Sequence, residues 1–367
     1  MVRVDAAEVA LLRLVAQRLA GPREPDAAAA VARLLALQGQ DLRASLVATA
    51  LRTSSPDLGD VRAALDAGDV VRSWPVRGTL HLVLGEDLGW LLGLTSERVL
   101  RSAAARRTAL GIDDALVERA REVLVAALEG GRRLSREQAL ALLADEGLLA
   151  VPQRGYHLLW TLAQTGTTCW GPLLPRPTGR PAGGGTDEQA LVLLDEWAPR
   201  PRRLERDEAL GELARRYVCG HGPATTADLV RWCGLTVRDV RAGLAVARPH
   251  LEAVEVDGVE HLVDPATPER LAEHREDARR VLLLPGFDEL VLGYADRSAS
   301  LPVEHASRVV PGSNGIFLAT VVDDGRIVGT WRRTGRRTGP PVEATPFTTF
   351  SARVERALPG LGAALPA

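Results

Sequence analysis

Apolar positions recur at helical spacing along most of the chain and alternate in a few short stretches, and the order of the two patterns repeats. Residues 58–67 read as a helix, VVRSW (70–74) and TLHLVL (79–84) as strands, and PVRG (75–78) as the turn between them. DDALVERAREVLVAALEGG (113–131) reads as a helix ending on glycines. Ser135 then opens a capping box with Gln138, QRGYHLLWTLAQTG (153–166) supplies another helix, and TTCW (167–170) a strand. The third cycle runs ERDEALGELARRYVCGHG (205–222), TTADLVRWCGL (225–235) with Thr225 or Thr226 as N-cap, and TVRDVRAGLAVARPH (236–250). It ends in the hairpin LEAVEVDGVEHLV (251–263), turning at Asp257-Gly258. Beyond about residue 280, VLLLPGFDELVLGY (281–294) and GIFLATVVDDGRIVGTWRR (315–333) read as strands with a turn at Asp324-Gly325, and FTTFSARVERAL (347–358) closes with a short helix.

Helix, helix, helix, hairpin, three times, predicts a mainly α protein with β: three tandem winged-helix units plus a small C-terminal β-rich domain. The expected boundaries are 1–110, 111–178, 179–280 and 281–367. RPTGRPAGGGTDE (176–188), rich in Gly and Pro, reads as a loop between the second and third units.

The chain's 367 residues, 46% hydrophobic and 25% charged, can hold two or three packed units and are too apolar for disorder. No window is long and apolar enough for a membrane span, and the first residues carry Asp5 and Glu8 where a signal peptide is apolar. A cytoplasmic monomer without membrane contact is the expectation. Cys169, Cys219 and Cys233 are odd in number and lack CxxC spacing, which supports neither a disulfide framework nor zinc.

A net charge of −2 argues against nucleic acid only until the positions of the cations are considered. The chain has no lysine, so every fixed cation on its side chains is an arginine, which forks onto phosphate or guanine but forms no Schiff base. Arg98, Arg101, Arg106 and Arg107 crowd one helix and its exit. Arg332, Arg333, Arg336 and Arg337 surround a glycine-containing turn and are candidates for DNA contact. Winged helices most often bind DNA, although the same units also serve as protein-packing modules.

One stretch stands out chemically. In LLALQGQDLRAS (34–45), a helical stripe through Val31, Leu34 and Leu35 puts Gln38 at its next position, followed by Gly39 and Gln40. Residues two apart diverge by about 200° on a helix, so the two amides converge only if the backbone turns near Gly39. Two readings stand: the helix ends to aim both amides into one cleft, or Gly39 is a helix cap and the glutamines hydrate its end. Asp41 is either a water-activating carboxylate or the N-cap of the next helix. Arg77 and His81 in RGTLH are candidates for phosphate contact; His81 alternatively orients Arg77 or, as a histidine on a strand more often does, serves a structural role. Tyr156, His157 and Trp160 share helical spacing, with Trp160 assigned to the core. Strand periodicity would send Asp288 and Glu289 to opposite faces, which disfavours a joint acid and base role.

LLALQGQDLRAS, RGTLHLV (77–83), QRGYHLLW (153–160), GHGPATTADLVRWCGL (220–235), LLPGFDELVLGYADR (283–297) and GRIVGTWRR (325–333) together resemble the winged-helix DNA glycosylases of the AlkZ/YcaQ type, over nearly the whole chain. The resemblance implies a C-shaped protein that excises N7-alkylated purines from double-stranded DNA and unhooks interstrand crosslinks. Its AlkZ branch provides self-resistance beside pathways that make DNA-alkylating natural products such as azinomycin. The family's catalytic Gln-x-Gln falls on Gln38 and Gln40, and the second glutamine points to the AlkZ branch. The motif's middle position, usually aliphatic in the family, is Gly39 here. No cofactor is expected, since neither metal-ligand spacing nor a phosphate-cradling glycine loop is visible, and GGG at 183–185 reads as linker. Without lysine, strand cleavage through a lysine Schiff base is excluded. The competing expectation is a non-catalytic DNA-binding regulator or adduct-shielding protein.

Overall fold

The structure, a computed structural model, describes residues 2–174, 188–313, 315–334 and 340–366. The chain opens with β1 (Val2–Arg3) and α1 (Ala6–Ala16), the latter begun by the Asp5 carboxylate accepting from the Glu8 N–H. The first repeat follows as α2 (Ala27–Leu34), β2 (Leu37–Gln38), α3 (Leu42–Ala50), α4 (Leu58–Ala67), and the hairpin β3 (Val70–Val76) and β4 (Thr79–Leu84), with β2 paired antiparallel to β4. Helices α5 (Gly85–Ser102) and α6 (Ala104–Ala109) lead to the second repeat, α7 (Asp114–Leu128), α8 (Arg136–Asp145), α9 (Arg154–Gln164), β5 (Thr168–Leu173) and β6 (Gln189–Leu193). Here Leu134, between α7 and α8, bridges Leu191 of β6.

A short α10 (Leu194–Trp197) precedes the third repeat, α11 (Arg206–His221), α12 (Thr226–Cys233), α13 (Val237–Ala247), β7 (Glu252–Val256) and β8 (Val259–Val263), in which Ala224 bridges Leu262 of β8. In each repeat a residue or strand between the first two helices pairs with the last strand of the hairpin. Local chemistry sets the boundaries. Capping boxes at Ser135/Gln138 and Thr225/Asp228 start helices, and left-handed Asp257-Gly258 and Asp324-Gly325 pairs turn two hairpins.

The remainder is α14 (Ala266–Ala278), β9 (Leu282–Leu284), α15 (Glu289–Leu292), α16 (Ala306–Val309), β10 (Thr320–Asp323), β11 (Arg326–Arg333), β12 (Val342–Pro346) and α17 (Ala352–Ala363). Its sheet runs β12-β11-β10-β9. Only Leu282–Leu284 of the apolar run at 281–294 is strand; GFD turns, with Phe287 at φ 60°, and Asp288 caps the short α15.

Packing cuts across sequence order. The first two repeats share one sheet, β2-β4-β3-β5-β6, while β1 lies parallel to β7 of the third repeat. One core joins Leu35, Val71 and Leu91 to Leu213, Tyr217 and Trp232 of the third repeat. Another joins Leu11, Leu14 and Val15 of α1 to Leu271, Leu284 and Leu290. Residues near both ends of the chain therefore share one core. Among the described residues no helix is long and apolar enough to cross a membrane.

Candidate active site

Helix α2 does not reach the glutamines. It stops at Leu34 because Leu35 adopts φ 65°, and the chain runs on extended, pairing Gln38 with His81 across β4. Gly39 itself has no positive φ; β2 ends at Gln38, the chain bends at Gln40, and the two amides meet across that bend. Gln38 Nε2 donates to Gln40 Oε1 at 2.7 Å; Gln38 is buried and Gln40 exposed. What glycine permits here is close approach. The Gly39 N–H donates to Leu80 O at 2.6 Å, and a Cβ would stand 3.3 Å from the His81 backbone.

Glu289, at 1% exposure, anchors this strand from behind. Its Oε1 accepts from the Gln38 N–H at 2.9 Å, and its Oε2 accepts from Trp232 Nε1 at 3.1 Å and faces His221 Nε2 at 3.4 Å. Burial alone pushes this carboxyl up, but the donors around it, His221 and the Gln38 N–H among them, outweigh burial and bring it down to about 2. The neighbouring Asp288 points elsewhere, into a buried two-pronged pair with Arg52 at 2.9 Å on both oxygens, and Arg52 also donates to Gln17 Oε1. The two carboxylates diverge because Asp288 caps α15 and Glu289 opens it, not because they alternate on a strand.

Arg77 is part-buried and His81 fully buried. Arg77 donates to the Trp232 carbonyl and, at 3.3 Å, to Gln38 Oε1, and burial lowers its pKa. His81 is fully buried: Nδ1 meets Thr79 O at 2.8 Å, Nε2 has no partner, and burial, with the Arg77 charge, lowers the ring to about 4. A neutral imidazole enclosed in the fold reaches no DNA backbone in this conformation. Arg72 grips the outer side of the motif, donating to Gly39 O at 2.6 Å, Gln40 O at 3.4 Å and Gln189 Oε1 at 3.1 Å, and burial lowers it to about 10. Asp41 is the N-cap of α3, its Oδ1 accepting from the Ala44 N–H at 2.9 Å.

The hydrogen bonds thus form a directed chain, Arg77 to the Gln38 carbonyl and the Gln38 amide to the Gln40 carbonyl, which leaves Gln40 at the surface with acceptor capacity to spare. Sequence reading missed the parts played by Glu289, Trp232, His221 and Arg72. The first three lie within stretches that carried the resemblance, so position in those stretches was their only signal.

On the C-terminal sheet, Arg332 is exposed and pairs across the strands with Glu343 at 2.6 Å. Arg333 donates to Pro366 O at 2.8 Å, and burial, with the nearby Arg43 charge of α3, lowers its pKa. Arg336 and Arg337 lie outside the described residues, as does nearly all of the 176–188 loop. Arg101 and Arg107 pair with Glu97 and Asp114, Arg106 donates to Gln153, and Trp160 sits in the core as expected. Among the described residues no group of three His, Cys, Asp or Glu side chains is placed to hold a metal.

The chain and its fold have known counterparts. The profile of the family described as DNA glycosylase AlkZ-like matches residues 31–366. An interstrand DNA cross-link repair glycosylase of Streptomyces sahachiroi is 28% identical over 333 residues, covering 87% of this chain and 85% of that one. The solved structure of Streptomyces sahachiroi DNA glycosylase AlkZ shares the fold at 24% identity and a TM-score of 0.78, with 99% of this chain and 98% of that chain covered. A family match spanning all but the first thirty residues and the last, with the paired glutamines inside it, means that this chain belongs to the AlkZ-like DNA glycosylase family.

Proposed function

We propose that the chain is a monofunctional DNA glycosylase that excises bulky N7-alkylguanine from double-stranded DNA, with Gln38 and Gln40 as its catalytic residues. The observation that carries this reading is the orientation of the pair: Gln38 is fixed by Arg77 and by the Glu289 bond to its backbone, and Gln40 is presented to solvent.

The chemistry suits amides. N7-alkylguanine is cationic and departs as a neutral base, so cleavage of the glycosidic bond needs little acid catalysis. What remains is to hold a water against the sugar as oxocarbenium character develops at C1′. Gln40 Oε1 accepts from that water with the lone pair not used by Gln38, and its dipole faces the growing positive charge. The water adds to C1′, its proton passes to solvent, and the bond electrons leave with the base. Without lysine in the chain, no lysine Schiff base follows and the product is an abasic site. Unhooking of interstrand crosslinks is the same cleavage applied to one guanine of a linked pair. Self-resistance to a DNA-alkylating natural product of the azinomycin type is the biological setting we propose.

The deciding experiment incubates the purified protein with a duplex carrying a single N7-alkylguanine, then treats it with alkali. Strand cleavage at the lesion, lost in Gln38→Ala/Gln40→Ala, is the expected result. Lesion binding without cleavage would leave a DNA-binding protein without the chemistry.

A further inference from the structure

The segment that leads into β10 presents apolar side chains to solvent. Ile316 is 47% exposed and Leu318 38%, with Phe317 half-buried between them. Apolar residues scattered singly over a surface need no explanation, but two that flank an aromatic make a ridge. Backbone bonds hold the ridge in place. The Leu318 N–H donates to Val309 O at 2.9 Å, Phe317 O accepts from the Phe287 N–H at 3.3 Å, and Ala319 O accepts from the Trp331 N–H at 3.1 Å. The Phe287 ring supports that of Phe317, their centroids 5.9 Å apart. Phe287 does so at φ 60°, a conformation that a bulky side chain keeps only where its surroundings impose it, and such strain gathers at functional sites.

Two routes tie the ridge to the paired glutamines. Phe287 lies two residues before Glu289, whose carboxylate accepts the Gln38 N–H. On the other side the Arg297 guanidinium lies over the Phe317 ring, 5.5 Å from its centroid. Arg297 feels the charge of the exposed Arg231, which adds to burial in lowering its pKa. Arg231 precedes Trp232, whose carbonyl accepts from Arg77, the residue that also holds the Gln38 carbonyl.

Apolar side chains backed by arginine suit one macromolecule in particular. The faces of stacked bases are the apolar surface a duplex offers, and phosphates on either side of the stack attract guanidinium groups. Phe, Leu and Ile side chains that enter between base pairs unstack a step and kink the duplex. A stacked nucleotide hides its C1′ behind its neighbours, so opening the adjacent step admits Gln40 and its water.

We propose that Ile316, Phe317 and Leu318 form an apolar wedge that inserts into the base stack of duplex DNA beside the lesion. The link to excision rests on the glycosylase reading above, and the wedge adds how the stack is opened.

The test uses the full chain and a duplex carrying a single N7-alkylguanine with 2-aminopurine as the adjacent base, whose fluorescence rises when it is unstacked. Wild type is expected to raise that fluorescence several-fold on binding. Ile316→Ser/Leu318→Ser, at two exposed positions that tolerate polar side chains, should lose most of the rise and excise about tenfold more slowly. The slope of log K against log salt should stay as in wild type, because no phosphate contact is lost. Ile316→Met/Leu318→Met, which keeps the ridge apolar, should restore both signals. Fluorescence and excision equal to wild type in the serine variant overturn the proposal, as does a lost rise that methionine fails to restore. Self-association of wild type in sedimentation velocity, abolished by the serines while both DNA signals stay unchanged, would make the ridge an interface between copies and also overturn it. A fluorescence rise that depends on the ridge, without excision by wild type, would support the insertion and sink the glycosylase reading alone.

Discussion

Glu289 Oε1 accepts the backbone N–H of Gln38 at 2.9 Å across 251 residues of sequence. A buried carboxylate so placed fixes the strand that carries the candidate catalytic pair, and the same group gathers Trp232 and His221. Glu289→Gln is expected to lower kcat up to about 100-fold, because an amide presents one acceptor atom where the carboxylate presents two and so shifts the strand. KM for lesion DNA should hardly change, since the residue lies away from solvent. Glu289→Ala should cost about 3–5 kcal/mol of stability by leaving buried donors unpaired. Single-turnover excision beside denaturant melts separates the two; a rise in KM at constant kcat would speak against a positioning role.

Arg77 offers a second separation. Its guanidinium holds the Gln38 carbonyl at 3.3 Å and the Trp232 carbonyl from within the fold. Arg77→Met is therefore expected to slow excision at least tenfold with DNA affinity and its salt slope intact. A phosphate contact would behave differently: losing one would reduce the slope of log K against log salt by about 0.9. Titration of lesion binding at several salt concentrations decides between them.

The three helix-and-hairpin cycles were legible because caps, glycines and Asp-Gly turns are local signals, and Ser135, Thr225 and Asp257-Gly258 act where their chemistry indicated. The way Gln38 and Gln40 meet was not. Nothing in a leucine announces that Leu35 takes a left-handed φ, and the two-residue β2 is too short to show alternation. Glu289 was hidden for a different reason. An acidic residue in an apolar run looks like a strand's solvent face until its partners arrive from α11, α12 and β2, and that arrangement is tertiary. The burial of His81 was hidden as well, since nothing in RGTLH announces that its ring is enclosed by the fold.

Asp41 invites the objection that a carboxylate next to Gln40 is the true base. Its Oδ1 is committed to the Ala44 N–H, which serine can also satisfy. Asp41→Ser should keep excision within a few-fold of wild type, and Asp41→Ala should cost about 1 kcal/mol of stability through loss of the cap. Loss of excision in Asp41→Ser, with its melting midpoint unchanged, would transfer the base role to Asp41.

His81 makes a pH signature. Burial lowers its folded pKa to about 4 from an ordinary 6.5, so between those values the unfolded chain binds a proton that the folded chain refuses. Stability from this group is complete above about pH 6.5 and drains away as pH falls toward 4, on the order of 3 kcal/mol in all at about 1.4 kcal/mol per pKa unit. The Glu289 contribution runs lower, lost as pH falls from the ordinary carboxylate range through about 2. His81→Gln should flatten the decline between pH 6.5 and 4, as read by denaturant midpoints at half-unit steps; an unaltered decline would mean that another group drives it.

The end of β11 supplies the last prediction. Arg332 is exposed and joined to Glu343 by a cross-strand pair, an arrangement worth little in water, so it can exchange that carboxylate for a phosphate at small cost. Arg333 on the same strand feels the Arg43 charge of α3, which adds to burial in lowering its pKa. If DNA lies across this surface, Arg332→Ala should weaken binding to lesion-bearing and undamaged duplex alike and lower the salt slope by about 0.9, because a phosphate contact carries no sequence information. Glu343→Gln should strengthen binding slightly by freeing the same guanidinium. Affinities of Arg332→Ala and Glu343→Gln that both match wild type at every salt concentration would remove this strand from the DNA-binding surface.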